Sequence, residues 1–378
     1  MSAQTSVESG SAGQPGAAGA RSEPSRLRSF MRRPGVMHAL IVWAIVVVAI
    51  PASRIVSPAF PSLNQIENIA VLGAFLGVAA FGVGLVILSG GFDLSVSSVI
   101  TASGVFAGAY VQNGGSTALG IVLALLVAAG IGACSGIGVA YLRIPPFIMT
   151  LATGTIVSGA LLGLNAGHPS RPAPQALRDF FGTGRLLGIP DTIWFFIGFV
   201  IVAVVLQQLT THGRRIYAVG NGELVATLSG LPVRAVTAGV YAIAGLCYGI
   251  AGIMLTGYSS GANLSLGNDY LLPAIAAVVV GGVSIKGGRG TYVGVVGGTM
   301  LLTTVGNDIS ATSLAEGWKQ VLYGAIVLGA LVLSLGSGES GGGRLGLRRR
   351  LRRQGGLGVG PLRERPEPVG PGRAGPGS

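Results

Sequence analysis

Few residues in this 378-residue chain have the types and spacing that chemistry needs. Two segments, GYSSG at 257–261 and GESGG at 338–342, match the GxSxG spacing of a hydrolase nucleophile. A nucleophile elbow needs a strand, a sharp turn and a helix around that serine. The first segment instead follows a long apolar run and the second lies in a Gly- and Arg-rich tail, so chance in a chain with 65 glycines accounts for both. The histidines, His38, His168 and His212, are far apart and form no HExxH. Cys134 and Cys247 fall inside apolar runs without CxxC spacing, which argues against a metal site or a disulfide framework and predicts small packing residues. Lys286, in GGVSIKGGRG, is followed by Gly, so the P-loop that cradles nucleotide phosphates is missing. No catalytic residue, metal or cofactor is expected, and any ATP that drives this protein must bind another chain.

One carboxylate stands out. Asp93 lies in LSGGFDLSVSS, between two long apolar runs. An ionised Asp at the centre of a membrane helix costs about 2.5–3.5 kcal/mol on insertion scales. Such a group therefore sits near an interface or faces protein or water. Gly90 and Gly91 break the chain just before it, and Asp93 can cap the helix that follows by accepting N–H bonds. The second reading is a polar group on a permeation path or gate, and the two are compatible.

The elements that must position these groups are membrane helices. Half of the residues are apolar and only 10% are charged, too few for a soluble protein, where about 25% is usual. About ten apolar spans are expected, over residues 38–57, 66–89, 94–112, 118–141, 147–165, 191–210, 234–257, 269–285, 291–307 and 318–336. The fold class is all-α and polytopic. It comprises a disordered basic N-tail (1–37), a transmembrane domain (38–336) and a disordered Arg-, Gly- and Pro-rich C-tail (337–378). With both termini in the cytoplasm, 20 of the 25 basic residues fall inside, most of them in the tails. The net charge of +12 then reads as topology-holding and lipid-touching charge, not as nucleic-acid binding.

The longest outer connection, between the fifth and sixth spans, predicts a short amphipathic helix around residues 176–181. The longest inner one, residues 213–232, predicts another over 223–228, preceded by Gly222 and stopped by Gly230, Leu231 and Pro232. Glycines four apart (73 and 77, 104 and 108, 132 and 136, 159 and 163, 245 and 249) predict close helix contacts. ILSGGFDLSVSSV and VVVGGVSIKGGRGTYVGV hint at an internal repeat, since each ends a span on paired glycines and then restarts.

Four segments appear in order: GGFDLSVSSVITASGVFAG, LRIPPFIMTLATGTIVSGALLGLNAGHP, GRRIYAVGNGELVATLSGLPV and AIAAVVVGGVSIKGGRGTYVGVVGG. Together they closely resemble the membrane permease subunit of ribose-type ABC importers, over residues 64–335. The resemblance implies a ten-helix permease in the bacterial plasma membrane, paired with a second permease chain. It also implies a cytoplasmic ABC ATPase and an extracytoplasmic solute-binding protein as partners. Carried onto this chain, it makes Glu223, Leu224, Val225, Ala226, Thr227, Leu228 and Ser229 the ATPase-coupling helix. Ser89, Asp93, Ser95, Asn165 and Asp269 are candidates for a pathway or gate. A monosaccharide or similar small polar solute is the expected cargo, with nucleosides or branched-chain amino acids as the alternative for the same architecture. An ion-coupled secondary transporter is disfavoured because the spans hold almost no ionisable groups for a proton relay or ion site.

Overall fold

The computed structural model describes residues 34–56, 62–165, 170–312 and 314–336. The tails over 1–33 and 337–378, His168 and the GESGG segment lie outside the described residues. The first helix, α1 (Pro34–Ala52), begins slightly before the expected first span. It is followed by α2 (Leu63–Leu88), α3 (Val96–Gln112), α4 (Thr117–Ala140) and α5 (Pro146–Leu164). Next come α6 (Asp191–Val204), continued by a π-helical turn over Val205–Leu209, then α7 (Thr211–Asn221), α8 (Glu223–Leu228) and α9 (Val233–Tyr258). The last three are α10 (Leu271–Val280), α11 (Tyr292–Ser310) and α12 (Gly317–Gly336). The chain divides into two units, Met1–Val327 and Leu328–Ser378; of the second, only the end of α12 is described.

Six described helices are long and apolar enough to cross a membrane: Met37–Ile55, Leu63–Leu88, Thr117–Ala140, Pro146–Leu164, Asp191–Leu209 and Val233–Tyr258. The protein is thus a polytopic membrane protein. Helices also stand where the other four spans were expected, but they are weaker candidates. The 17-residue α3 rises about 26 Å and the 10-residue α10 about 15 Å, against a hydrocarbon layer of about 30 Å. α11 carries Asn307 and Asp308 in its last turn.

Hydrophobic burial sorts the helices into layers. α2 is almost wholly buried and α9 largely so, whereas nearly all of α5 is left open. α2 and α9 are therefore the centre, and α5 turns apolar side chains outward, as a lipid-facing helix does. α9 packs against α2, α3 and α4. Its contact with α4 is close because glycines meet there. A Cβ on Gly132 would lie 2.3 Å from the Tyr241 carbonyl oxygen, and one on Gly245 2.4 Å from that of Ala128. Around α2 the core is aromatic, with Phe81 edge-on to Tyr292 at 4.6 Å and to Phe199 at 5.7 Å.

Two packing expectations need correction. Gly159 and Gly163 have no atom within 4 Å of a built Cβ, because their face of α5 points out of the chain. Cys247 is buried in the core, but Cys134 is exposed.

The connections at one end are short and strapped together. Ser170–Pro172 pairs antiparallel with Gly261–Asn263, placing Arg171 opposite Ala262, and Arg185–Leu186 pairs with Ile189–Pro190. Between them a helical turn over Gln175–Leu177 continues as a π-turn over Arg178–Thr183. Its Leu177 and Phe181 are buried, four residues apart, which is the amphipathic pattern read from the sequence.

Candidate functional site

The segment from Thr210 to Pro232 folds because each break in it has a chemical cause. The Thr210 hydroxyl accepts the Gly213 N–H (3.2 Å) and starts α7. Gly213, Ile216 and Val219 of α7 face inward. Glu223 stands in the first turn of α8, where a carboxylate complements the helix dipole. Ala226, 3% exposed, packs against Val219 and Val233. The Thr227 hydroxyl donates to the Glu223 carbonyl (2.9 Å) and the Ser229 hydroxyl to that of Val225 (2.8 Å). Gly230, at φ 77°, lets the chain reverse, and the Leu231 N–H returns to the Ala226 carbonyl (3.1 Å). One apolar residue of α8 is therefore inside, and three are left out. Leu224, Val225 and Leu228 are 72%, 67% and 80% exposed.

This element is bolted to the membrane helices. A Cβ on Gly220 would lie 1.9 Å from the Leu88 carbonyl oxygen, at the end of α2. That same carbonyl accepts the Gly288 N–H (2.9 Å). The Asn221 amide donates to the Gly288 carbonyl (3.1 Å), and the Tyr217 hydroxyl to the Gly290 carbonyl (2.6 Å). Burial pushes the Tyr217 phenol up to about 12, so it remains a donor. The Tyr292 N–H donates to the Gln207 side chain (2.7 Å). The two paired-glycine segments that suggested a repeat thus meet, through Leu88 and Gly288, on the back of α7.

Between α2 and α3 the chain turns at Ser89 and Gly90 and then runs without regular structure to Ser95. Gly90 takes φ 86° and the Gly91 N–H reaches the Val86 carbonyl (2.9 Å). Asp93 is 2% exposed. Its Oδ1 accepts the Ser95 N–H (2.8 Å) and the Ser95 hydroxyl (2.7 Å). It therefore holds the residue just before α3 in a side-chain turn, rather than the first helical N–H groups. The Leu94 N–H donates to the Thr150 hydroxyl on α5 (3.0 Å), and the Tyr241 hydroxyl on α9 to the Phe92 carbonyl (3.1 Å). Asp93 Oδ2 and the Tyr248 hydroxyl are both buried beside each other, without closing a well-aligned hydrogen bond.

The five pathway candidates do not form one site. Asp93 and Ser95 are bonded to each other. Ser89 lines a cavity of ≈ 650 Å³ beside Arg143, Glu223 and Arg234, next to α8. Asn165 ends α5, about 28 Å from the Pro146 end that borders this same cavity. There Asn165 accepts Arg171 Nε (3.1 Å) and Nη2 (3.0 Å). Asp269 lines a separate cavity of ≈ 670 Å³ with Asn307, Glu316 and Lys319. The Lys319 ammonium, 2.7 Å from Glu316, hydrogen-bonds that carboxyl and holds it below its usual range. At the same end the Glu67 carboxylate, 2.7 Å from Arg185, raises the proton affinity of the guanidinium.

Sequence reading missed Thr150, Tyr241 and Tyr248. The last two stand seven apart in YAIAGLCY, a spacing that puts two hydroxyls on one helix face. It also missed Gly220, one glycine among many. Among the described residues no cluster of His, Cys, Asp and Glu could hold a metal ion.

Residues 65–331 match the family described as branched-chain amino acid transport system permease component. The chain is 35% identical to the ribose import permease protein RbsC of Bacillus subtilis, over 80% of its own length and 92% of that protein. It is 32% identical to RbsC of Escherichia coli K12, over 78% and 92% of the two chains. It is 29% identical to the autoinducer 2 import system permease protein LsrD of Escherichia coli SMS-3-5, over 78% and 90%. No solved structure matches.

Proposed function

This chain belongs to the family of branched-chain amino acid transport system permease components, and from that premise we propose that it forms the membrane passage of an ATP-driven importer for a monosaccharide. It is a transport subunit, not an enzyme, and hydrolysis belongs to a separate ATPase. The observation that carries the reading is α8. A six-residue helix that exposes Leu224, Val225 and Leu228 while burying Ala226 is built to enter a groove on a partner. A sugar is favoured over an amino acid because the two ribose import permeases are 35% and 32% identical over most of this chain.

Several finer features belong to the same proposal. Ten helices cross the membrane, with α3 and α10 completing their crossings through the flanking extended segments. Both termini are cytoplasmic, a second permease chain completes the passage, and a solute-binding protein delivers cargo at the end that carries Arg185 and Glu67. Asp93 and Ser95 shape the passage through the break that they hold. The test is uptake of radiolabelled ribose by vesicles containing this chain, its ATPase and its binding protein. Uptake should require ATP and be blocked by excess unlabelled ribose but not by leucine. Uptake that follows an ion gradient and ignores ATP would sink the proposal, and ATP-driven uptake of labelled leucine in place of labelled ribose would move the cargo to the alternative class.

A further inference from the structure

A groove of ≈ 390 Å³ opens between α3, α4 and α5, away from the docking helix. Its walls are apolar, with Val105 and Phe106 from α3, Val127 and Ile131 from α4, and Val157 and Leu161 from α5. One end is polar and holds Arg171 beside Asn165. The Arg171 side chain is fixed there. Nε and Nη2 donate to Asn165 Oδ1 at 3.1 and 3.0 Å, and Nη1 donates to Gln112 Oε1 at 2.8 Å. Asn165 is itself 7% exposed and tied by its amide to the Leu161 carbonyl (2.9 Å).

Both acceptors are neutral amides. The ion pairs among the described residues, Arg185 with Glu67 and Lys319 with Glu316, leave Arg171 without a counter-charge. A guanidinium has five N–H donors. Three are used, so two remain, one on each terminal nitrogen. A phosphate suits a fork of that kind. The height is also right. Arg171 follows the end of α5, a helix about 28 Å long, and so lies near the edge of a hydrocarbon layer about 30 Å thick.

We propose that this groove holds an acyl chain of an anionic glycerophospholipid, with its phosphate gripped by Arg171. The unbalanced charge selects a net-negative headgroup over a zwitterionic one. Charge also selects a lipid over a helix of a second copy. A second copy packed through this same face would bring no carboxylate to Arg171, since none of the lining residues is acidic. The inference needs only that the chain sits in a membrane, and it stands or falls separately from the cargo reading.

The experiment is native mass spectrometry and thermal unfolding of the delipidated full-length chain. It is given phosphatidylglycerol, phosphatidylcholine with the same acyl chains, or inorganic phosphate. Wild type should retain phosphatidylglycerol about tenfold better than phosphatidylcholine and gain melting temperature from it. Arg171→Gln should fall to the phosphatidylcholine level. Ala160→Trp, which fills the groove and keeps the arginine, should lose the bound lipid, and it decides the matter if Arg171→Gln does not fold. Equal retention of the two lipids overturns the proposal, as does a phosphate effect without lipid. So does oxidation of Ala160→Cys to a disulfide-linked pair, which would put a second copy on the groove.

Discussion

Charging the exposed face of α8 separates docking from folding. Val225 is 67% exposed and sits between Leu224 and Leu228 on the free face, so Val225→Asp places a carboxylate in the centre of the patch. Fully burying a Val or Leu side chain is worth about 1.5–3 kcal/mol. Scaled by the exposed fractions, the three residues have about 3–6 kcal/mol to gain from a partner groove. The substitution forfeits the share of Val225, about 1–2 kcal/mol, and adds the desolvation of a carboxylate, which is at least as large. A loss of about 3 kcal/mol or more weakens docking by about 150-fold. Inside the chain little changes. The Ser229 and Leu231 closures use backbone carbonyls, and the buried contact of α8 is made by Ala226. The assay is co-purification of the ATPase with the permease, alongside the melting temperature of the permease alone. The expected result is a lost partner at unchanged melting temperature. A Val225→Asp chain that keeps its ATPase and imports at the normal rate refutes the assignment of α8.

Three further outcomes follow from the geometry. Gly220→Ala drives a methyl into the Leu88 carbonyl, and it should lower the melting temperature by several degrees and leave ATP hydrolysis uncoupled from uptake; a normal transport ratio would show that the contact has slack. Asp93→Leu leaves the Ser95 N–H and hydroxyl buried without an acceptor, at about 1–3 kcal/mol each, whereas Asp93→Asn keeps an acceptor; thermal unfolding in detergent should rank the chains wild type, Asn, Leu, and a Leu variant equal to wild type in both melting temperature and uptake would remove Asp93 from its structural and its pathway roles. Cysteines placed at Ser170 and Ser340 should react with an impermeant label from opposite sides of the membrane; labelling of both in intact cells would break the ten-crossing arrangement.

Some of this was legible in sequence, because some signals are local. The short helix over Glu223–Leu228 was readable because Gly222 and the Gly230–Leu231–Pro232 stop are punctuation on a short amphipathic segment. The break at Gly90 and Gly91 was readable because a charge follows paired glycines between two apolar runs. The amphipathic turn expected around residues 176–181 was readable as a short apolar stretch inside a polar connection, and Leu177 and Phe181 are its buried side. What escaped depends on residues distant in the chain. Ser170–Pro172 pairs with Gly261–Asn263 across some ninety residues, and no hairpin turn marks that pairing. Among glycines four apart, sequence cannot tell Gly132, which meets α9, from Gly159, which meets nothing, since both lie in equally apolar helices. Helix count suffered for a related reason. α10 is too short and α11 too polar at its end to stand alone as spans, and the neighbouring segments decide where they lie.

The link between docking and the passage rests on a shared carbonyl. Leu88 closes α2, the most buried helix, and its oxygen faces both Gly220 of the docking element and the Gly288 N–H. If α8 docks as proposed, a push on it would reach that oxygen through α7, where Gly220 has no side chain to yield. Beyond the turn at Ser89 and Gly90 the chain has no helical structure from residue 91 to 95, so displacement there is not absorbed along helical hydrogen bonds. It arrives at Phe92, Asp93 and Leu94, which are tied to Tyr241 on α9, to Ser95 ahead of α3 and to Thr150 on α5. Three helices thus hang on one short unwound segment, and they move with it or release it. Asp93 supplies the weak point in that holding, because its Oδ2 and the Tyr248 hydroxyl are buried beside each other without closing a well-aligned hydrogen bond in this arrangement. Groups left unpaired in one state are where a second state can gain hydrogen bonds. The transmission proposed here therefore predicts that Tyr248→Phe, which removes the hydroxyl and nothing else, costs this conformation little stability. It should alter the ratio of ATP hydrolysed to solute moved, and an unaltered ratio would confine the Asp93 cluster to packing.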